Sequence, residues 1–195
     1  MQPNTFSFKP PLAQKMTRKI PETIMKRVRN AFNSTGNPKN ILAKDAYSSN
    51  TIQNQKDRYA SVLLLTNDGE FTNLMTGPKH KVEKEYRVKM NGFLRKEEST
   101  RLCRGVKIDN YMTRKAKIKD VEYNKKSETT SATIIITEGK YHQVKKMFEL
   151  VGHPVIKLKR VRFGFVDLKN LGVGEYRLLK PHEYKKLLNL VDTEE

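Results

Sequence analysis

The sequence predicts an α+β fold, a mostly antiparallel mixed sheet with helices packed on it. Three observations carry that expectation. Residues 82–90, VEKEYRVKM, alternate strictly, with Val82, Lys84, Tyr86, Val88 and Met90 on one face and Glu83, Glu85, Arg87 and Lys89 on the other. Two further strand-like runs, KAKIKDVEY (115–123) and TSATIIIT (130–137), are joined by the polar turn Asn124-Lys125-Lys126-Ser127. Residues 138–155, EGKYHQVKKMFELVGHPV, have helical periodicity instead, which places Tyr141, Val144, Met147, Phe148 and Val151 on one apolar face.

The remaining elements follow in chain order. Val62–Thr66 is a short apolar run with the character of a buried strand, closed by the turn residues Asn67-Asp68-Gly69. Glu70–Thr76 predicts a short helix with Phe71, Leu74 and Met75 inward, stopped by Gly77-Pro78. KEESTRLCRG (96–105) predicts a helix ended by Gly105, and Gly152 is placed to cap the helix within 138–155. A basic strand, VIKLKRVRFGFV (155–166), comes next. The strand-like GEYRLL then precedes a helix opened by Pro181, with Tyr184, Leu187, Leu188 and Val191 as its inner face. No internal repeat is present.

Residues 1–61 differ from the rest. They hold eleven Lys/Arg and three acids (Glu22, Asp45 and Asp57), a net +8, among many Asn, Pro, Ser, Thr and Gln. Within them only ETIMKRVRNAF (22–32) is periodic, with Ile24, Val28 and Phe32 beside Lys26, Arg27 and Arg29. That pattern suits a basic RNA-contacting helix, a presequence or an ordinary surface helix, and the first is favoured over targeting. Residues 33–55 have the composition of a loop or linker. The expected division is a basic, poorly ordered or divergent segment over 1–55 and a compact domain over 56–195.

Over the whole chain, 39 Lys+Arg face 21 Asp+Glu, a formal charge of +18. At that balance a polyanionic partner is expected, because each phosphate neutralised releases counterions. Nucleic acid is favoured over mere solubility because the basic residues are interleaved with Tyr and His. The single cysteine, Cys103, excludes a disulfide framework and a Cys-based zinc site, and it suits a reducing compartment. His80, His142, His153 and His182 show no metal-ligand spacing, so no metal is expected. No apolar run has the length to span a bilayer, and the N-terminus has no apolar signal core. The expectation is a cytoplasmic monomer with no membrane contact.

Three residues are candidates for chemistry. Asp57 lies in a polar stretch four residues before Ser61, at the mouth of the first apolar strand. Tyr86 is on the inward face of its strand. Lys145 sits at the rim of the apolar helix face, about 40° from Tyr141 and about 60° from Phe148. Each also has an ordinary reading, as a loop charge, a core tyrosine and a lysine extended to water.

Taken together, four blocks resemble a known family. LLLTNDGEF, KVEKEYRVKMNG, ITEGKYHQVKKMFELVGHPVIKLKRVRFG and GVGEYRLL are similar, in order and spacing, to the RNA pseudouridine synthases of the small-subunit (RsuA) type. The resemblance runs from Val62 to about Leu188. It implies a pseudouridine synthase-like catalytic domain that isomerises one uridine of ribosomal RNA without metal or cofactor. Such enzymes cleave the glycosidic bond, turn the base and rejoin it through carbon. It further implies an essential aspartate, held ionised by the basic residue after His-Gln-Val, here Lys145. A tyrosine in the Glu-Tyr-Arg-Val strand, here Tyr86, packs on the base. His142, Gln143, Lys146, Lys157, Lys159, Arg160 and Arg162 are the expected RNA contacts.

The resemblance departs at the aspartate. The family signature is Gly-Arg-Leu-Asp, two variable residues, Thr, one variable residue and Gly, running into the apolar strand. Aligned without a gap, Lys56 takes the catalytic place, while a one-residue deletion brings Asp57 there. Residues 1–52 contain no counterpart of the Lys-Pro-x-Gly strand motif, and no S4-type RNA-binding domain is recognised. Three outcomes therefore stay open: an active synthase using Asp57, an RNA-binding remnant of the same fold that has lost catalysis, and a truncated product that does not fold alone.

Overall fold

The computed structural model describes residues 41–45, 61–77, 79–167, 171 and 175–192, with the backbone alone for 41–45 and 192. Asp57, Lys56 and the helix expected over 22–32 lie outside the described residues. Among the described residues the order is β1 (Ile41–Asp45), β2 (Ser61–Leu65), α1 (Gly69–Thr76), β3 (Lys84–Asn91), α2 (Lys96–Arg104), β4 (Lys107–Ile108), β5 (Tyr111–Met112), β6 (Lys117–Asn124), β7 (Thr129–Ile136), α3 (Gln143–Leu150), β8 (Val155–Phe163), β9 (Val166–Asp167), β10 (Tyr176–Leu178) and α4 (Pro181–Asp192).

Two antiparallel sheets meet edge to edge. The larger has the order β6-β7-β3-β8-β9 and the smaller β10-β1-β2. A two-stranded ribbon, β4-β5, stands apart from both. β3 is central, paired with β7 along its whole length and with β8 on the other side. Strand β1 was not legible in composition, since Ile41–Asp45 falls within the stretch expected to be a loop or linker. It pairs with both β2 and β10 and so closes the small sheet.

The alternation of residues 82–90 is realised. Val82, Lys84, Val88 and Met90 are buried and Tyr86 is half-buried on that face. Helix α1 begins where Asp68 caps it, its Oδ1 accepting the amide of Phe71 at 2.9 Å. Helix α2 ends at Gly105 as expected. Its φ of +102° suits glycine, and a Cβ there would stand 2.4 Å from the carbonyl oxygen of Thr113. Gly152, at φ +86°, follows the last turn of α3 in the place expected of a capping glycine.

There are two hydrophobic cores. The first lies between the large sheet and α2 and α3, and holds Met90, Leu102, Ile134, Met147 and Phe148. The second lies between β2, α1 and α4, and holds Val62, Phe71, Phe163, Val166 and Leu187. Full burial of such side chains contributes roughly 1.5–3 kcal/mol each. Strand β8 serves both, since Leu158 packs on the first core and Phe163 belongs to the second. The seam between the cores therefore crosses β3 and β8 near Lys84, Tyr86 and Arg160. Strand β6 is an edge strand, exposed nearly throughout, and its charges and the bulge around Asp120 protect it from further pairing.

One expectation is corrected. Tyr141 is not on the apolar face of α3; it is 72% exposed. The helix begins only at Gln143, and His142 before it adopts left-handed backbone angles, φ 52° and ψ 24°. That reversal breaks the helical phase, so the wheel does not extend back to Tyr141. Val144, Met147 and Phe148 are buried as expected.

Candidate active site

The seam is built by a bulge. Glu85 pairs with Arg162 but Tyr86 pairs with Arg160, leaving Val161 as the extra residue of β8. By simple alternation Arg160 and Arg162 would share a face. The bulge separates them and brings Arg160 onto the face of Tyr86.

The consequences differ for each arginine. Arg160 donates through Nε and Nη2 to the carbonyl oxygen of Val62, at 3.1 and 2.7 Å. Its backbone amide donates to the Ser61 hydroxyl at 3.3 Å. It thus ties β2, the first strand of the second core, to the partner strand of Tyr86. Arg162, on the other face, pairs with Glu85 at 2.8 Å and Glu83 at 3.3 Å. Lys157 and Lys159 stand opposite Lys89 and Arg87 on that same outer face, away from Tyr86 and α3.

Lys84, two residues before Tyr86 and on the same face, is only 8% exposed. Its ammonium donates to the carbonyl oxygen of Val82 at 2.9 Å and stands 5.4 Å from the centre of the Phe163 ring. Arg160 stands 5.5 Å from the same ring. Burial, and then the nearby charges of Arg160 and Arg114, pull the Lys84 pKa down to about 8, with Glu138 opposing. The inward face beside Tyr86 is therefore cationic.

Lys145 lies in the first turn of α3, half-buried, and its ammonium makes no hydrogen bond or ion pair with any described residue. Its neighbours in sequence are engaged. Lys146 pairs with Asp109. Gln143 is 2% exposed, so the structure gives it a place inside the fold and not on an RNA-facing surface. Its Nε2 donates to Glu138 at 2.5 Å, its Oε1 accepts the Lys140 amide at 3.1 Å, and Glu138 also accepts the Arg114 amide at 2.8 Å. These bonds set where α3 starts. His142 is exposed, its ring stacked on that of Tyr141.

Asp57 lies outside the described residues, four positions before Ser61. Ser61 and Val62 both touch Arg160, the cross-strand neighbour of Tyr86. Among the described residues no group of three or more His, Cys, Asp or Glu is placed to hold a metal ion. Nor is any helix long and apolar enough to cross a membrane. Reasoning from sequence missed Lys84 and the bracing role of Arg160. For Lys84 a signal existed, a charged residue on an otherwise apolar strand face.

Known proteins resemble this chain in sequence and in fold. The family profile described as RNA pseudouridylate synthase matches residues 51–150. The ribosomal large subunit pseudouridine synthase B of Bacillus subtilis (strain 168) is 43% identical over 133 residues, covering 68% of this chain and 54% of that protein. The ribosomal small subunit pseudouridine synthase A of Vibrio cholerae is 37% identical over 125 residues, covering 63% of this chain and 52% of that one. A crystal structure of a pseudouridylate synthase superposes with a TM-score of 0.62 at 26% identity, over 77% of this chain and 74% of the other. The chain spans about half the length of the curated relatives it matches.

Proposed function

Because this chain belongs to the RNA pseudouridylate synthase family, we propose that it isomerises a uridine of ribosomal RNA to pseudouridine. The observation that carries this reading is the seam itself. Tyr86 sits half-buried on a cationic face, and the strand that follows Asp57 is fastened by Arg160 directly beside it.

In this reading the uridine is flipped out of its stack, at a cost of a few kcal/mol. Its base lies against Tyr86. The Asp57 carboxylate acts at the sugar or base as the glycosidic bond breaks and the base rejoins through carbon. A carboxylate desolvated by a bound base needs a cation to stay ionised, and Lys145 is the residue assigned to that role. Lys84 and Arg160 add positive charge at the same face. Phosphate binding falls to half-buried Lys157 and Lys159 on the outer sheet face and to exposed His142 at the start of α3. The protein acts as a monomer in the cytoplasm, and residues 1–55 serve as a basic arm that also supplies β1.

The test is pseudouridine formation by the purified chain on ribosomal RNA, followed by tritium release and by carbodiimide mapping. Turnover supports the proposal. Binding of the RNA with no turnover favours a second reading, a non-catalytic RNA-binding remnant, which rests on Lys56 taking the aspartate's place in the gapless alignment.

A further inference from the structure

The loop ahead of α3 displays an aromatic pair that the reaction does not use. The rings of Tyr141 and His142 are stacked, with centroids 3.9 Å apart and planes inclined by 17°. Tyr141 is 72% exposed, so with one ring face covered by His142 the other faces solvent. Single exposed aromatics are common and need no explanation. This pair differs in two respects.

First, it is firmly mounted. His142 is held in the left-handed backbone region, where non-glycine residues are uncommon, although histidine is among the more tolerant. The residues on either side are clamped: Gln143 is buried, its side chain bonded to Glu138 and to the Lys140 amide, and its own amide donates to the Lys140 carbonyl oxygen at 3.1 Å. A surface ring fixed in this way loses little conformational freedom when something stacks on it.

Second, its surroundings are basic. Lys140 is exposed on one side, Lys145 is half-buried in the first helical turn, and the chain carries +18 overall. A flat π-surface flanked by cations matches an unstacked nucleobase with its phosphate, since single-stranded RNA is held by stacking on aromatic rings and by backbone neutralisation. A protein partner would face the same unbalanced positive charge.

We propose that Tyr141, backed by His142, is a stacking platform for an unpaired RNA base next to the catalytic cleft. This rests on the reading that the chain acts on RNA. Its location, in the loop just ahead of α3 and four residues before Lys145 in the chain, assigns the platform to a nucleotide near the target uridine and not to the uridine itself.

The test uses short single-stranded RNA oligonucleotides containing uridine, with 2-aminopurine placed in turn at each flanking position. With the full-length chain, 2-aminopurine fluorescence at one position is expected to be quenched on binding. Tyr141→Phe should keep that quench. Tyr141→Leu should abolish it and weaken binding about tenfold, with the salt dependence of affinity and the circular dichroism spectrum unchanged. Equal quenching and affinity in wild type and Tyr141→Leu would overturn the platform, as would RNA binding with no quench at any position. Quenching lost in Tyr141→Leu while wild type forms no pseudouridine would uphold the platform and remove the catalytic reading. Absence of any RNA binding overturns both.

Discussion

The guanidinium of Arg160 closes on the carbonyl oxygen of Val62 through two hydrogen bonds, at 3.1 and 2.7 Å. This contact joins the two halves of the fold. It reaches from the strand beside Tyr86 to the strand entered from the segment that holds Asp57. A half-buried bidentate donor of this kind is more than a surface charge.

Replacing Arg160 with Met should therefore destabilise the chain by about 1.5–3 kcal/mol, the range for hydrogen bonds made by a charged group. Amide hydrogen exchange should quicken most over 61–65. Arg160→Lys should recover only part of the loss, because lysine lacks the planar fork. Denaturant unfolding and exchange measurements check this. Exchange unchanged over 61–65 in Arg160→Met would count against the tie.

Lys84 makes a pH prediction. Its folded pKa is about 8, against 10.5 for an ordinary lysine. Between those values the unfolded chain binds more protons at this site, so its contribution to stability rises as pH increases from about 8 to 10.5. Lys84→Met should lack that rise and should equal or exceed wild type in stability at neutral pH. Unfolding measured across this window, with wild type and variant compared at each pH, isolates the contribution.

Gly105→Ala tests the end of α2. The new methyl would meet the Thr113 carbonyl at 2.4 Å, with φ at +102°. Backbone must move or strain must be held, at about 2 kcal/mol or more. Thermal unfolding should show a lower Tm with the circular dichroism spectrum retained.

Gln143→Leu separates bracing from RNA contact. Loss of the bonds to Glu138 and to the Lys140 amide should cost about 1–3 kcal/mol of stability. The slope of RNA affinity against salt should not change, because no phosphate contact is removed. A shallower slope would restore Gln143 to the RNA-contacting set.

Much of this fold was legible in the chain. Strand β3 could be read because one of its faces is apolar and the other charged, and α2 because Gly105 ends it. Strand β1 was not legible: Ile41–Asp45 is short and mixed, and its pairing is made by β2 and β10, which are distant in sequence. Tyr141 was misplaced because periodicity carries no sign of a single left-handed residue at His142. Composition shows a basic strand but not its bulge, and the bulge at Val161 sends Arg160 and Arg162 to opposite faces. A charge count does not distinguish a cation that braces the fold from one that waits for phosphate. Tyr86 and Lys145 are candidates on residue type and resemblance, whereas Lys84 and the role of Arg160 required the register.

The central claim is that Asp57 performs the chemistry in an active synthase. Its most direct test is pseudouridine formation on ribosomal RNA by wild type and by Asp57→Asn, each first shown to bind that RNA. The account predicts turnover by wild type and none detectable by Asp57→Asn, with RNA affinity preserved. Equal turnover by the two proteins, or none by wild type, would contradict it.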